Sequence, residues 1–288
     1  MSPSFAIITP SYAPDFQRCQ LLANSVNQYI QPPFVHYIVV DRCDAQLFSS
    51  LANTRTRILT VESVLPRWIF REPIFRKVWL SWKVPPLRNW ILQQIVKLAV
   101  AQQIEQDVAV FVDSDVIFVR PFDLNQLAQD DQQVRLYRDD QGNPVQRDMH
   151  RKWHASAAEV LGLSTIDPQI PDYIGNLITW RKQNVIQLCQ HIEMVSGRGW
   201  IQTLAGVWNL SEYVLYGLFV DQVIPQQAQH YPDHRNFCHD YWLTECIAGE
   251  ALQDWVSQLQ PEQVAIMISA KSGMSVQDYA PLLAQMTF

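Results

Sequence analysis

The stretch Val110-Phe111-Val112-Asp113-Ser114-Asp115-Val116-Ile117-Phe118 decides how this chain is read. Val108 to Val112 is short, apolar and rich in β-branched residues, the composition of a strand buried on both faces. Asp113 and Asp115 then fall at its carboxyl end, the edge at which open α/β sheets bind their ligands. Two hard oxygen donors on one short turn can share a divalent cation, and a cation held there can in turn hold a diphosphate. The same pair also fits a plain turn where a buried strand meets solvent, because Asp is a common turn former. The residues that accompany the pair weigh between the two.

The chain has 288 residues, 48% of them hydrophobic, enough for one large α/β domain or two small ones. A formal net charge of −6 and a pI near 5.6 argue against a general nucleic-acid binder, whose affinity comes from clustered Lys and Arg. The five cysteines, Cys19, Cys43, Cys189, Cys238 and Cys246, contain no Cys-x-x-Cys pair. They suit neither a disulfide framework nor a zinc knuckle, and the expected compartment is a reducing cytosol. The first residues lack the basic region of a signal peptide, Pro10 interrupts their apolar run, and no window reaches the roughly 18 apolar residues of a membrane span.

Around the aspartates the periodicity alternates. Strands are expected at Phe5 to Thr9, Phe34 to Val40 and Arg57 to Val61, with helices at Asp15 to Tyr29 and from about Cys43. Ile91, Ile95, Leu98 and Ala99 give Trp90 to Gln103 helical spacing, and that helix leads into the strand ending at Asp113. The alternation predicts a mostly parallel central sheet flanked by helices, with a nucleotide across its carboxyl edge. Beyond Asp123 the pattern weakens. Helices are expected at His150 to Leu161, Arg181 to Val195 and Ser211 to Val220, and short strands at Asn176 to Trp180 and Val264 to Ser269. No linker separates the halves, so residues 1–288 read as one elaborated domain: 1–123 a nucleotide-binding half, and 124–288 an acceptor-side half completing the same sheet.

One stretch departs from the average composition. Between Arg67 and Trp90 six basic residues face a single acid, Glu72, among Trp68, Phe70, Phe75, Trp79, Trp82 and Trp90. Cations and tryptophans concentrated in an acidic chain suit an anionic surface or a carbohydrate, against the plainer account of core aromatics under a solvated face. A peripheral contact with the inner face of a membrane through 67–90 is the corresponding expectation.

Thr9-Pro10-Ser11-Tyr12 after the first strand, Asp41 after the second, Lys97 before the metal strand and Asp113-Ser114-Asp115 together resemble a GT-A fold glycosyltransferase. The rest of the chain resembles a narrower bacterial group of uncharacterised GT-A-like proteins, a domain of unknown function linked to polysaccharide synthesis. The blocks that carry this are Trp90-x-x-Gln93-Gln94-Ile95-x-Lys97-Leu98, Asp172-Tyr173-Ile174-Gly175-Asn176, Ser211-Glu212-Tyr213-x-Leu215-Tyr216-Gly217 and Cys238-His239-Asp240-Tyr241-Trp242. The resemblance implies transfer of a sugar from a nucleoside-diphosphate sugar to a saccharide or lipid-linked hydroxyl, with Pro10, Ser11, Tyr12 and Asp41 lining the nucleoside pocket. It also implies that Asp113 and Asp115 grip ribose and a divalent cation, Mn²⁺ or Mg²⁺, with Ser114 between them.

The chemistry supports these residue types. Charge growing on a departing diphosphate is neutralised by a Lewis acid, and carboxylates are needed to hold one. His239 is the expected further metal ligand, with His230 and His234 as alternatives and a hydrogen-bonded structural histidine as the competing account. Lys97, on an apolar helical face, and Lys271, after the last strand, are candidate diphosphate or ribose contacts; Lys97 also fits a snorkelling lysine. An inverting transferase needs a general base, for which Glu212 comes first and Asp240 second. Glu212 equally suits a helix-capping role, and a retaining enzyme would need no such base.

Two other classes compete. A haloacid-dehalogenase-like phosphatase also places Asp-x-Asp at a strand end, but that motif opens the first strand and continues with Gly and Thr or Val, not Val116-Ile117-Phe118. A non-catalytic carbohydrate-binding protein could keep the fold without the activity.

Overall fold

The computed structural model describes residues 2–72, 78–129, 132–142, 147–165 and 170–285; Phe75, Arg76 and Lys77 of the aromatic stretch lie outside them. The strands are β1 Phe5–Pro10, β2 Val35–Val40, β3 Thr56–Thr60, β4 Ile69–Arg71, β5 Trp79–Ser81, β6 Val108–Phe111, β7 Val116–Phe118, β8 Ala128–Gln129, β9 Gln133–Tyr137, β10 Ile178–Arg181, β11 His230–Asp233, β12 Cys238–Tyr241 and β13 Ala265–Ile268. The central sheet has the order β10-β6-β1-β2-β3, parallel except for the β10 edge. Mixed α/β architecture with a mostly parallel sheet between helices is thus as expected.

Side-chain alternation explains how the layers assemble. Phe5 and Ile7 on β1, with Val108 and Val110 on β6, pack on Leu22 and Val26 of the helix Phe16–Tyr29. Ala6, Ile8, Ala109 and Phe111 take the opposite face and meet Ile91, Ile95 and Leu98 of the helix Asn89–Gln103. Because successive strand side chains point to opposite faces, a strand covered on both sides must be apolar throughout. β6 is buried at every position.

The second half departs from the expectation of one completed sheet. Ile178–Arg181 does join the centre, antiparallel to β6, but β12, β13 and β7 form a separate three-stranded sheet and β11, β9 and β8 another. The cause lies at the aspartates. The chain leaves the central sheet after Phe111, turns at Asp113-Ser114-Asp115, and enters β7, which pairs with β13. The hydroxyl of Ser25, on the helix Phe16–Tyr29, accepts from the Phe118 N–H at 3.0 Å and ties the two layers together. The aspartate turn therefore bridges two sheets. Among the described residues no helix is long and apolar enough to cross a membrane.

Candidate functional site

Asp113 and Asp115 stand at the carboxyl edge, as their position after β6 requires. Asp113 remains 39% exposed and directs its N–H at Asn176 Oδ1, 3.5 Å away. Asp115 is half-buried: its backbone carbonyl accepts from Ile268 N–H at 3.2 Å, and its carboxylate from Ala270 N–H at 3.1 Å. Burial, then the charge of Asp113, pushes the Asp115 carboxyl up to about 7. Among the described residues no Lys, Arg or His ion-pairs with it. A half-buried carboxylate beside a second one, without a cation partner among the described residues, could hold a divalent ion.

Asp240 belongs to the same cluster. Asn176 Nδ2 donates to Asp240 Oδ1 at 3.0 Å and Asn236 Nδ2 to Oδ2 at 2.8 Å. Its proton affinity is raised by burial and by Asp113, against the lowering effect of hydrogen bonds from Asn236, Cys238 and Asn176. Asn176 thus spans Asp113 and Asp240. His239, one residue earlier on β12, is carried to the opposite side by the two-residue period: its ring stacks on Trp255 at 4.3 Å and Nε2 meets the Trp255 carbonyl at 3.0 Å. The expected third ligand is not brought to the aspartates. His230 is likewise engaged, by Tyr216 Oη and the Val134 carbonyl at 2.8 Å each.

Glu212 and Lys97 meet each other. Glu212, 2% exposed in the first turn of Glu212–Leu218, has its Oε1 2.7 Å from Lys97 Nζ. Lys97 also donates to Tyr213 Oη at 2.8 Å and lies 3.9 Å from Asp113 Oδ1. Burial alone would disfavour the ammonium, but Glu212, Tyr213 and Asp113 outweigh it and hold the proton well above a lysine's ordinary range. The carboxylate expected as first-choice base is therefore committed to a buried ion pair. Gln94 Oε1 accepts from Glu212 N–H at 3.1 Å, closing the block Trp90–Leu98 onto Ser211–Tyr213.

On the other flank, Pro10 ends β1, Ser11 N–H donates to the Val39 carbonyl, and Tyr12 is 47% exposed. Asp41 is clamped by Arg71 of the β4–β5 hairpin; burial raises its pKa and Arg71 opposes that. Asp41, Cys43 and Asp44 are the group of three potential ligands found among the described residues. That cluster already carries cationic and backbone donors, with Arg71 3.3 Å from Cys43 Sγ and Ala13 N–H 2.9 Å from Asp44 Oδ2. Ser114 is buried against Asp15. Lys271 is exposed, one residue past the Ala270 amide that holds Asp115.

Three residues at this edge carried too weak a pattern to be singled out. Asp15 and Arg18 occupy the turn and helix start after β1, with Arg18 Nη2 on the Met274 carbonyl at 2.5 Å and Arg18 Nε buried without a hydrogen-bond partner. Tyr137 faces Asp172, Asp139 and Asp240, and burial followed by these acids raises its pKa. The rule that ligands gather at carboxyl strand ends would have found the first two.

Nearly all of the chain aligns with a longer solved protein, of which it spans about half the length. A solved apo structure of the bifunctional glycosyltransferase WbbM aligns with 99% of this chain and 50% of its own length, at a TM-score of 0.52 and 11% identity. That likeness shows the fold. No curated protein sequence matches the chain. Its sequence from residue 5 to residue 258 matches the family of unknown function DUF6492, and the chain belongs to that family.

Proposed function

We propose that this protein is a metal-dependent glycosyltransferase of GT-A type that moves a sugar from a nucleoside diphosphate to a hydroxyl of a saccharide or lipid-linked acceptor. The observation that carries the reading is Asp115, a half-buried carboxylate beside Asp113 at the carboxyl sheet edge, with no cation paired to it among the described residues. The fold shared with WbbM supports the same class.

In this reading Asp113 and Asp115 would hold a divalent cation, and such an ion would supply Lewis-acid neutralisation of charge on the departing diphosphate. Pro10, Ser11, Tyr12 and the Arg71-clamped Asp41 line the nucleoside. Arg18 and Lys271, on segments that flank Asp115, add positive charge for the phosphates. Lys97 is tied to Glu212 and orients Asp113. Asp240 replaces Glu212 as the base of an inverting reaction. The acceptor oxygen forms its bond to the anomeric carbon, the bond from that carbon to the diphosphate breaks, and the hydroxyl proton passes to the Asp240 carboxylate.

Thermal unfolding tests this. Mn²⁺ with UDP or GDP at about 100 times the dissociation constant should stabilise the native protein by about 2.7 kcal/mol. An Asp115→Ala variant should show no shift, and equal shifts in both proteins would remove the assignment.

A further inference from the structure

The segment after the β4–β5 hairpin and the loop between Ala205 and Glu212 expose tryptophan in a way that the core does not explain. Trp82 is 80% exposed and Trp208 72%, although large aromatics are usually mostly buried. Trp208 belongs to a pairing of ring and cation, while Trp82 leans on Phe70 with ring centroids 5.4 Å apart. Lys83 Nζ, beside Trp82, lies 5.3 Å over the Trp68 ring, and the Arg88 guanidinium lies 4.0 Å over Trp208 while donating to the Trp208 carbonyl at 2.7 Å. Trp90, 49% exposed, stacks on Trp153 at 6.4 Å and donates Nε1–H to the Leu210 carbonyl. Trp153 sits on the helix Arg147–Leu161, whose exposed Arg147, Arg151 and Lys152 face one acid in the same turns, Asp148. Described residues 78–90 carry Lys83 and Arg88 and no acid. In a chain of net charge −6, these cations and open tryptophans sit on segments joined by the Arg88–Trp208 and Trp90–Trp153 contacts.

Position gives this surface its meaning. Trp90 opens the helix Asn89–Gln103, and in a parallel β/α arrangement helix starts lie on the edge where strands end. Lys97, which touches Asp113, is seven residues along the same helix, about 10 Å at 1.5 Å per residue. The patch therefore borders the mouth of the candidate site. Tryptophan with Lys and Arg is the composition that settles at a membrane–water boundary, rings among the headgroups and cations on anionic lipid.

We propose that Trp82, Lys83, Arg88 and Trp208, with added positive charge from Arg147, Arg151 and Lys152 of the helix Arg147–Leu161, dock the protein on an anionic lipid bilayer with the aspartate edge turned toward it. Contact of this kind brings a lipid-linked acceptor to the site and stands independently of whether sugar transfer is the reaction.

Co-sedimentation of the whole chain with vesicles tests it. The protein should pellet with vesicles of phosphatidylcholine mixed with phosphatidylglycerol, not with phosphatidylcholine alone, and should release in 1 M salt, where the Debye length falls to about 3 Å. Lys83→Ala with Lys152→Ala should weaken partitioning by at least about tenfold, each basic residue near an anionic surface contributing a factor of about five. Trp82→Ala with Trp208→Ala should weaken it at an unchanged melting temperature; if that variant melts early, the lysine pair, both exposed, decides. Asp115→Ala should pellet like the native protein, which separates this outcome from failure of the nucleotide assignment. Pelleting indifferent to lipid charge or to both pairs of substitutions, or retention on an immobilised polysaccharide in place of vesicles, would overturn the proposal.

Discussion

Lys97 Nζ sits 2.7 Å from Glu212 Oε1 in a pocket where Glu212 is 2% exposed, so two residues expected to serve a substrate neutralise each other. Breaking a buried ion pair strands a charge, whereas removing both partners does not. Lys97→Met should cost about 3–5 kcal/mol in urea unfolding, and Lys97→Met with Glu212→Leu should recover most of that. Additive losses in the double variant would mean that the pair is not the source of the cost.

Asp240 is bridged to Asp113 through Asn176 and so stands within the same acidic cluster. Asp240→Asn should lower kcat by about 10²–10⁴-fold while keeping the thermal shift given by Mn²⁺ and nucleotide. A Glu212→Gln variant that folds normally yet loses turnover, beside an active Asp240→Asn, would return the role of base to Glu212.

Gly217 is held to glycine by packing. A Cβ there would run into the Tyr173 ring, which is anchored by Tyr173 Oη donating to Asp221 Oδ2 at 2.5 Å. Gly217→Ala should destabilise by about 1–3 kcal/mol despite alanine's better helix propensity. Chemical denaturation measures it, and a neutral or stabilised variant would show that the ring yields freely.

His36 supplies a pH dependence. It is fully buried on β2 with Nε2 3.0 Å from Thr9 Oγ1, and burial lowers its pKa to about 3. The unfolded chain binds a proton near pH 6.5 that the folded chain refuses, so this group's contribution is present above 6.5 and is lost as pH falls toward 3. His36→Gln should flatten the stability curve between pH 6 and 4 by one proton, about 1.4 kcal/mol per pH unit, in denaturant titrations at each pH. Parallel curves for variant and native protein would contradict this.

The two-residue and helical periods made the central sheet legible, and with it the place of Asp113 and Asp115, because both depend on short-range geometry. The blocks in the second half were visible as sequence but not as partners: Trp90–Leu98 closes on Ser211–Tyr213, Tyr173 on Gly217, and Asn176 on Asp240. His239 shows the cost of missing a strand. Without β12, nothing assigned His239 and Asp240 to opposite faces, and the ring went to Trp255.

Sequence by itself determined where strands end and therefore where acids meet solvent, since hydrophobic alternation is written along a few consecutive residues. Tertiary structure alone decided which acids gain an ion-pair partner. Lys97 reaches Glu212, Arg71 reaches Asp41, and among the described residues no cation pairs with Asp115, because ion pairing depends on distant segments folding against one another and leaves no local periodicity to read.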